Sequence, residues 1–473
     1  MDVFVLIPRF FTQGMDCDFP MIKPLITMTH VCRSWGNALL STPGLWTQVN
    51  FSTFTESQQG AFLYRSGDQP LEIHHHVDSQ DSVEPFLSIT LLNLFRLRGL
   101  AISSQRPLIF DRLLRNFSAA APELKYLEIS NDPKIKDMGV ELPKIFGGQM
   151  PKLTSLKLHH YRTNLHNSNF PSLARFSFRT RAKISVRDLT SFFERCPLLE
   201  SIQICLSYAP QPPTAPHRRT CLATLRELDF DHTACTTGLL DHPKCTVMTL
   251  NGEFTGATLD HYGFHAAHIH PSSIDHLPVM RGITKAVAMP SSCVFSGPNG
   301  DIRFWCFEAR KNFDADFLTS FSPISVSQIR ELWVGQRAET DLNTPWKQTT
   351  AGVSGAFTVL AKVEDLTVTS CETKPIFTTL GATADRGILL PGLRRLTVYV
   401  GYGDLDTLTL IRCAKARREH SQPLGEVIVV WEKEPGGDVM QAVESLKEFV
   451  GKLTQRVGEV PKLSWKGDDF GIW

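Results

Sequence analysis

The sequence predicts an α/β fold in which strand–helix units are stacked into a solenoid, and three observations predict it. The stretch Pro122–Ser130, PELKYLEIS, places Leu124, Leu127 and Ile129 at the spacing L-x-x-L-x-L. In an extended segment Leu127 and Ile129 point to one face, while Leu124 enters from the preceding turn. The same signature returns as MPKLTSLKLHH, FPSLARFSFR, CPLLESIQIC and LATLRELDF, and later as SQIRELWVG, KVEDLTVTS and LPGLRRLTVYV. Finally, helical stripes precede several of these strands. One such strand cannot bury its apolar face alone, so a chain that repeats it predicts units that cover each other's edges.

Counting from the first leucine of each signature gives 97, 124, 153, 173, 199 and 225, hence steps of 27, 29, 20, 26 and 26. These lie in or near the leucine-rich-repeat range of about 20–29 residues. The next signature begins at Ile329, so 104 residues separate it from Leu225, room for four units of 26; Cys245-Met248-Leu250 and Ile302-Trp305-Phe307 are weak candidates there. Val363, Leu393 and Leu424 follow at steps of 34, 30 and 31. The predicted class is therefore an irregular leucine-rich-repeat solenoid, a curved parallel sheet with outer helices.

Taken in order, residues 1–51 read as a small all-α head. A helix carrying Leu25, Met28, Val31, Cys32, Trp35, Ala38 and Leu39 shows apolar steps of three and four, ended by Ser41-Thr42-Pro43, with Leu45 and Trp46 docking back. Residues 52–82 read as a polar linker with a short strand, LEIHHHVD. Alternation there puts His74 and His76 on one face and His75 on the other, which leaves a metal without a ligand set. Residues 83–473 read as the repeats. Phe110, Leu113, Leu114 and Phe117 mark one helix, and Leu189, Phe192 and Phe193 another, opened by a Ser185/Asp188 cap. Phe313, Phe317, Leu318 and Phe321 mark a third, and a capping helix over 438–457 closes the chain.

Composition limits the function classes. Hydrophobic residues make up 42% and charged residues 21%, with a net charge of +1, which gives no electrostatic reason to expect nucleic acid or an anionic membrane as partner. The 30 Phe against 7 Tyr predict phenylalanine in core positions elsewhere held by leucine. The N-terminal run Val3–Ile7 is too short for a signal-peptide core or a membrane span. Eleven cysteines without a C-x-x-C pair point to reduced thiols and a cytoplasmic or nuclear location.

No chemistry-bearing motif stands out, and the expectation is a non-enzyme without cofactor or metal. Among His261, His265, His268, His270 and His276 the spacing H-x-x-x-H-x-x-H would put three imidazoles near one face of a helix, which suits zinc, but Gly263 and Pro271 predict a solvated loop. No phosphate loop occurs. Ser354 and Ser296 each lack the glycine pair of a nucleophile elbow. Asn299-Gly300 predicts a tight turn into a strand.

The segment HVCRSWGNALLSTPGLWTQV closely resembles the second half of the F-box of many fungal F-box proteins. That family's run is V-C-[RK]-x-W-x-x-[IA]-A-L-x-[TN]-P-x-L-W. Val31, Cys32, Arg33, Trp35, Ala38, Leu40, Thr42, Pro43, Leu45 and Trp46 fall on it, with Leu39 where the family has Ala. The family's first half, a Leu-Pro pair and an acidic amphipathic helix, has only Ile7-Pro8-Arg9-Phe10-Phe11 as counterpart, and Gly14 follows. The resemblance implies that Val31, Cys32, Trp35, Leu39, Pro43, Leu45 and Trp46 form the F-box core or its adaptor contact. It further implies a Skp-type adaptor and, through it, a cullin ligase as partners. The target would be a protein, held by outward strand positions: Tyr126, Glu128, Ser155, Lys157, Ser201, Gln203, Glu227, Asp229, Glu331 and Trp333.

Overall fold

In the computed structural model the described residues are 22–77, 79–131, 142–160, 170–180, 184–206, 220–231, 240–241, 245–252, 279, 281–289, 292–306, 326–335, 349–369, 373–384, 387–400 and 405–458. The protein is a mixed α/β chain that divides into two compact units, Met1–Leu199 and Glu200–Trp473.

In the first unit, α1 (Ile22–Thr29), α2 (Arg33–Leu40), β1 (Gln48–Asn50) and α3 (Glu56–Ser66) lead into β2 (Leu71–Val77). Then come α4 (Val83–Leu92), β3 (Leu97–Ser104), α5 (Pro107–Arg115), β4 (Tyr126–Asn131), β5 (Ser155–His159), β6 (Arg175–Thr180) and α6 (Val186–Glu194). Each strand pairs in parallel with the next in chain order, from β1 to β6. The register aligns Ile73, Leu100, Leu127, Leu156 and Phe176 in one buried row, and His75, Ile102, Ile129, Leu158 and Phe178 in the next. Phenylalanines fill the layer behind them: Phe86, Phe110, Phe117, Phe146, Phe192 and Phe193 are all buried. His75 joins this layer, stacked 4.5 Å from Phe86.

The first leucine of each signature is set by a local turn. Leu153, Leu173, Leu199 and Leu225 donate their backbone N–H to the carbonyl three residues back, at Met150, Phe170, Cys196 and Leu222, over 3.1–3.3 Å. Ile329, Val363 and Leu393 do the same to Val326, Leu360 and Leu390. All of these acceptor residues are buried. The repeat thus begins three residues earlier than L-x-x-L-x-L, with an apolar residue whose side chain seals the turn.

The second unit contains β7 (Ser201–Leu206), β8 (Glu227–Asp231), β9 (Val247–Gly252), β10 (Lys285–Met289), β11 (Ser292–Gly297), β12 (Gly300–Cys306) and β13 (Glu331–Gly335). It continues with α7 (Thr350–Val359), β14 (Asp365–Thr369), α8 (Lys374–Gly381), β15 (Arg395–Val400), α9 (Thr407–Glu419), β16 (Glu426–Trp431), α10 (Gly437–Glu444) and β17 (Lys452–Val457). Its sheet runs β7-β8-β9-β12-β11-β10-β13-β14-β15-β16-β17, parallel except where β11 pairs antiparallel with β10 and β12. Two-residue pairs, Thr220–Cys221 with Leu240–Asp241 and Thr383–Ala384 with Gly387–Ile388, complete the strands.

Several expectations are corrected. Where four further repeats had room, β10–β12 form an antiparallel meander, because the Pro298-Asn299 turn reverses the chain without a crossover. Gly300 takes φ 130°, and a Cβ there would lie 1.9 Å from the Thr246 carbonyl oxygen, so the turn requires glycine. The single head helix is two, α1 and α2, broken at His30–Cys32 with Val31 61% exposed. The linker contains α3, opened by a reciprocal Thr55/Gln58 capping box. The closing helix stops at Glu444, passes through a 3-10 turn at Ser445–Glu448 and becomes β17. Gly451 disfavours helix there, and its backbone passes so near Gly425 that a Cβ would sit 2.6 Å from that carbonyl oxygen. The phenylalanines at 313–321, Phe307 and His261–His276 lie outside the described residues.

Buried Arg417 ties α9 to its neighbours, donating to the Leu389 carbonyl at 2.9 Å, to Leu390 at 2.8 Å and to Leu380 at 3.4 Å. Arg417→Ala strands these acceptors and leaves a cavity, so it should cost about 2–4 kcal/mol, read as a lowered thermal unfolding midpoint. Arg417→Lys should recover little of this, because an ammonium cannot span carbonyls that a planar fork reaches together.

Candidate functional site

Period-two alternation leaves one face of each sheet carrying the residues that packing does not fix. In the first unit, strand register arranges this face in three rows. The first is Gln48–Glu72–Gly99–Tyr126–Ser155–Arg175, and the second Asn50–His74–Ala101–Glu128–Lys157–Ser177. The third is His76–Ser103–Ser130–His159–Arg179.

Tyr126, Glu128 and Lys157, expected as outward positions, come together here. The Tyr126 hydroxyl donates to Glu128, Lys157 Nζ lies 3.9 Å from the same carboxylate, and that ammonium stands 5.9 Å from the Tyr126 ring centroid. Ser155, expected outward, is buried instead at 6% exposure, a side chain with only one heavy atom beyond Cβ set between Tyr126 and Arg175 in its row. Glu72 leans over Gly99, where an added Cβ would meet its Cγ at 3.1 Å, and it accepts from the Gln48 amide at 3.2 Å.

Two histidines flank the cluster. Partial burial lowers the pKa of His74, with Glu72 and Glu128 pulling the other way. Burial also lowers that of His159, opposed by Glu128 and assisted by Arg179 and Lys157. His76 Nδ1 is 2.7 Å from Ser103 Oγ.

The second unit's face is built differently. Its first row reads Lys285–Glu331–Asp365–Arg395–Glu426–Lys452. Most of its charges are paired along it: Lys285–Glu331 at 2.7 Å, Arg395–Asp365 at 3.5 Å, Arg395–Glu426 at 3.1 Å and Lys452–Glu426 at 2.8 Å. Hydrogen bonds from Lys452 and Arg395 hold the Glu426 carboxyl below its usual range. Trp333, in the next row, donates its indole N–H to Thr369 Oγ1 at 3.1 Å and stacks parallel to Tyr399, with centroids 5.9 Å apart. Gln203 donates to Asp229 at 3.1 Å across paired strands; Ser201 and Glu227 precede them, half-buried, in the neighbouring row. Tyr399 was not expected at this face; its place two residues after Thr397 on LRRLTVYV is the signal for it.

The F-box-like residues divide. Trp46 is fully buried, donates to the Leu39 carbonyl at 3.0 Å, meets Phe62 edge-on at 4.9 Å and carries the Arg65 guanidinium 4.5 Å over its ring. Leu39 is buried with it, whereas Val31, Cys32, Leu40 and Pro43 are exposed and Trp35 and Leu45 half-buried. Leu39 and Trp46 are therefore internal supports, and the other four stand exposed, Val31 and Cys32 before α2, Leu40 at its end and Pro43 after it.

Burial pushes the thiols of Cys196, Cys245 and Cys413 up to about 12, which disqualifies them as nucleophiles at neutral pH. Among the described residues no group of three or more His, Cys, Asp or Glu side chains is placed to hold a metal ion, and no helix is long and apolar enough to cross a membrane. No protein-family model matches the chain, and no curated protein matches it. Fold and faces define the class: an α/β protein whose mostly parallel sheets each present one polar face.

The histidine shifts fix a pH dependence. Both pKa values lie below the ordinary 6.5, so as pH falls below that value the unfolded chain takes up protons first. The contribution to stability is fully present above 6.5 and is lost as pH falls through the folded-state values. Urea midpoints at about pH 7.5 and about pH 5.5 should therefore drop less in a His74→Gln/His159→Gln variant than in the unaltered protein.

Proposed function

We propose that the protein is the substrate-recognition subunit of an SCF-type ubiquitin ligase, an F-box-like helical head followed by an irregular leucine-rich-repeat solenoid. The head would hold a Skp-type adaptor and through it a cullin ligase, and the polar sheet faces would choose a protein target. On this reading the protein catalyses nothing itself, uses no cofactor and works in the cytoplasm or nucleus.

The observation that carries the reading is the run from Val31 to Trp46. Its resemblance to the F-box is joined by a physical division of labour: Leu39 and Trp46 anchor the segment from inside, and Val31, Cys32, Leu40 and Pro43 are left at the surface. Exposed apolar side chains beside a short rigid helix are what a protein partner buries. The mixed charge of the sheet faces favours a protein target over nucleic acid.

Co-purification of a Skp-type adaptor with the full-length chain tests this. The unaltered protein should retain the adaptor, and a Val31→Glu/Leu40→Glu variant should lose it by about tenfold or more while keeping its thermal midpoint, since both positions are exposed. Failure of the unaltered protein to retain the adaptor removes the ligase reading. It would favour a leucine-rich-repeat scaffold that does not bind the adaptor, which the departure of Ile7–Phe11 from the F-box opening also supports.

A further inference from the structure

We propose that the open edge of β17, the last strand of the second unit, takes up an extended segment of a partner protein as a further strand, and that this segment alternates acidic with aliphatic residues. The inference goes beyond the ligase reading and needs neither the adaptor nor a target held on the polar sheet faces.

The backbone of the edge is available along the whole strand. β17 runs beside β16 in unbroken parallel register from Glu426↔Lys452 to Trp431↔Val457, and among the described residues no other strand pairs with it. Gly458, the next residue, donates its N–H to the Trp431 carbonyl at 2.9 Å. A parallel ladder engages every second residue of a strand, so Lys452, Thr454 and Arg456 bond to β16, while the N–H and C=O groups of Leu453, Gln455 and Val457 point away from it. The strand carries neither the proline nor the bulge that commonly closes such an edge.

Side chains decide what the edge accepts. On the core side Leu453 is half-buried and Val457 is 59% exposed. Gln455 between them is engaged, accepting from the Trp431 indole at 3.3 Å and donating to Glu444 of α10 at 2.9 Å. α10, tied to β17 by that bond, itself leaves Val439 37% and Met440 38% exposed. A stack whose last unit ends in solvent needs a polar outer side. Here aliphatic side chains continue to the rim, which suits an added strand with aliphatic residues beside Leu453 and Val457.

On the other side of the sheet the strand presents Lys452, Thr454 and Arg456. Lys452 is held to Glu426 at 2.8 Å, whereas Arg456 is exposed and makes no ion pair among the described residues. A carboxylate beside Arg456 on the added strand supplies that pair, and the alternation of a strand then places acidic residues on this side and aliphatic ones on the other. A second copy of β17 is the wrong occupant, because pairing two such edges gathers Lys452 and Arg456 of both copies on one side of the sheet.

Fluorescein-labelled peptides of about eight residues, alternating Glu with Val, test this by anisotropy against the full-length protein. The alternating peptide should bind; the same composition in two blocks, or with Lys for Glu, should bind about tenfold more weakly or worse. Val457→Pro removes one outward N–H without touching the ladder to β16, so it should cost about tenfold in affinity with the thermal midpoint kept. Arg456→Glu should cost about as much and should gain the Lys peptide, because the sign of the contact is reversed. Backbone N-methylation separates strand addition from side-chain attraction. Methyl groups on the Val residues block an antiparallel addition and those on the Glu residues a parallel one, so one series should lose binding and the other keep it. Absence of binding by the alternating peptide, or equal effects of the two N-methyl series, overturns the proposal. So does a protein that sediments as a dimer and becomes a monomer in Val457→Pro, since a second copy then fills the edge. Adaptor co-purification should be the same for these variants as for the unaltered protein, so failure of the ligase reading and failure of this one are read separately.

Discussion

The structure depends on how each parallel strand is positioned by the one before it. After the first leucine of a signature, two consecutive backbone N–H groups reach one carbonyl: Thr154 and Ser155 both donate to Lys125, Ala174 and Arg175 to Thr154, Arg226 and Glu227 to Glu200. Glu364 and Asp365 share Arg330 in the same way, and Arg394 and Arg395 share Glu364. A slip of one residue would exchange the buried and open faces, exposing Leu127 and Ile129 and burying Glu128. Register, core and the composition of the open rows are thus one constraint.

That constraint explains why the core tolerates irregular spacing between strands. The turn before each first leucine is closed locally by its own hydrogen bond, so the length of the preceding segment need not be constant. Between β5 and β6 the chain is short, and between β4 and β5 it is longer, yet both strands dock in the same way. Phenylalanine makes this possible on the other side of the sheet. Phe86, Phe117 and Phe146 meet one another edge-on or tilted at 6.2 and 5.3 Å, bridging successive repeats of the first unit with large side chains where a leucine would leave a gap.

Most of the strand positions were legible in the sequence, because L-x-x-L-x-L encodes both a period of two and an anchoring turn. Weak candidates such as Met248 and Ile302 also proved to lie on strands, β9 and β12, which pair side by side. The apolar residue three before each first leucine was equally present, often followed by proline, as in MPKL, FPSL, CPLL and LPGL, but its meaning appears only when the turn hydrogen bond is seen. What periodicity could not show was where a helical stripe is interrupted. Val439, Val443 and Leu446 continue into Leu453 and Val457 at helical intervals, yet Gly451 and the need of β16 for a partner convert the second half to strand. α3 was hidden by its polar surface, although Thr55 and Gln58 spell its cap. The candidate faces were legible as alternate positions; which of them meet was not, since Trp333 and Tyr399 lie 66 residues apart (399 less 333) and only the register of three strands brings their rings together.

The two faces, built from the same repeat, end in different chemistry because packing leaves the outward residues open to variation. In the second unit most of the charges of one row are spent on each other, and exposed, solvent-screened pairs of this kind stabilise little, so their effect is to fix side-chain positions more than to stabilise the sheet. The fixed positions are what matter for the rings beside them: Gly335, where a Cβ would fall 1.8 Å from Thr369 Oγ1, gives that hydroxyl the space from which it accepts the Trp333 indole. In the first unit the carboxylates are also met by neighbouring strands, Glu128 by Lys157 and Glu72 by Arg98, but each at 3.9 Å. The pairs of the second unit, at 2.7–3.5 Å, are closer than those of the first, so the same repeat holds its outward charges more tightly in one unit than in the other.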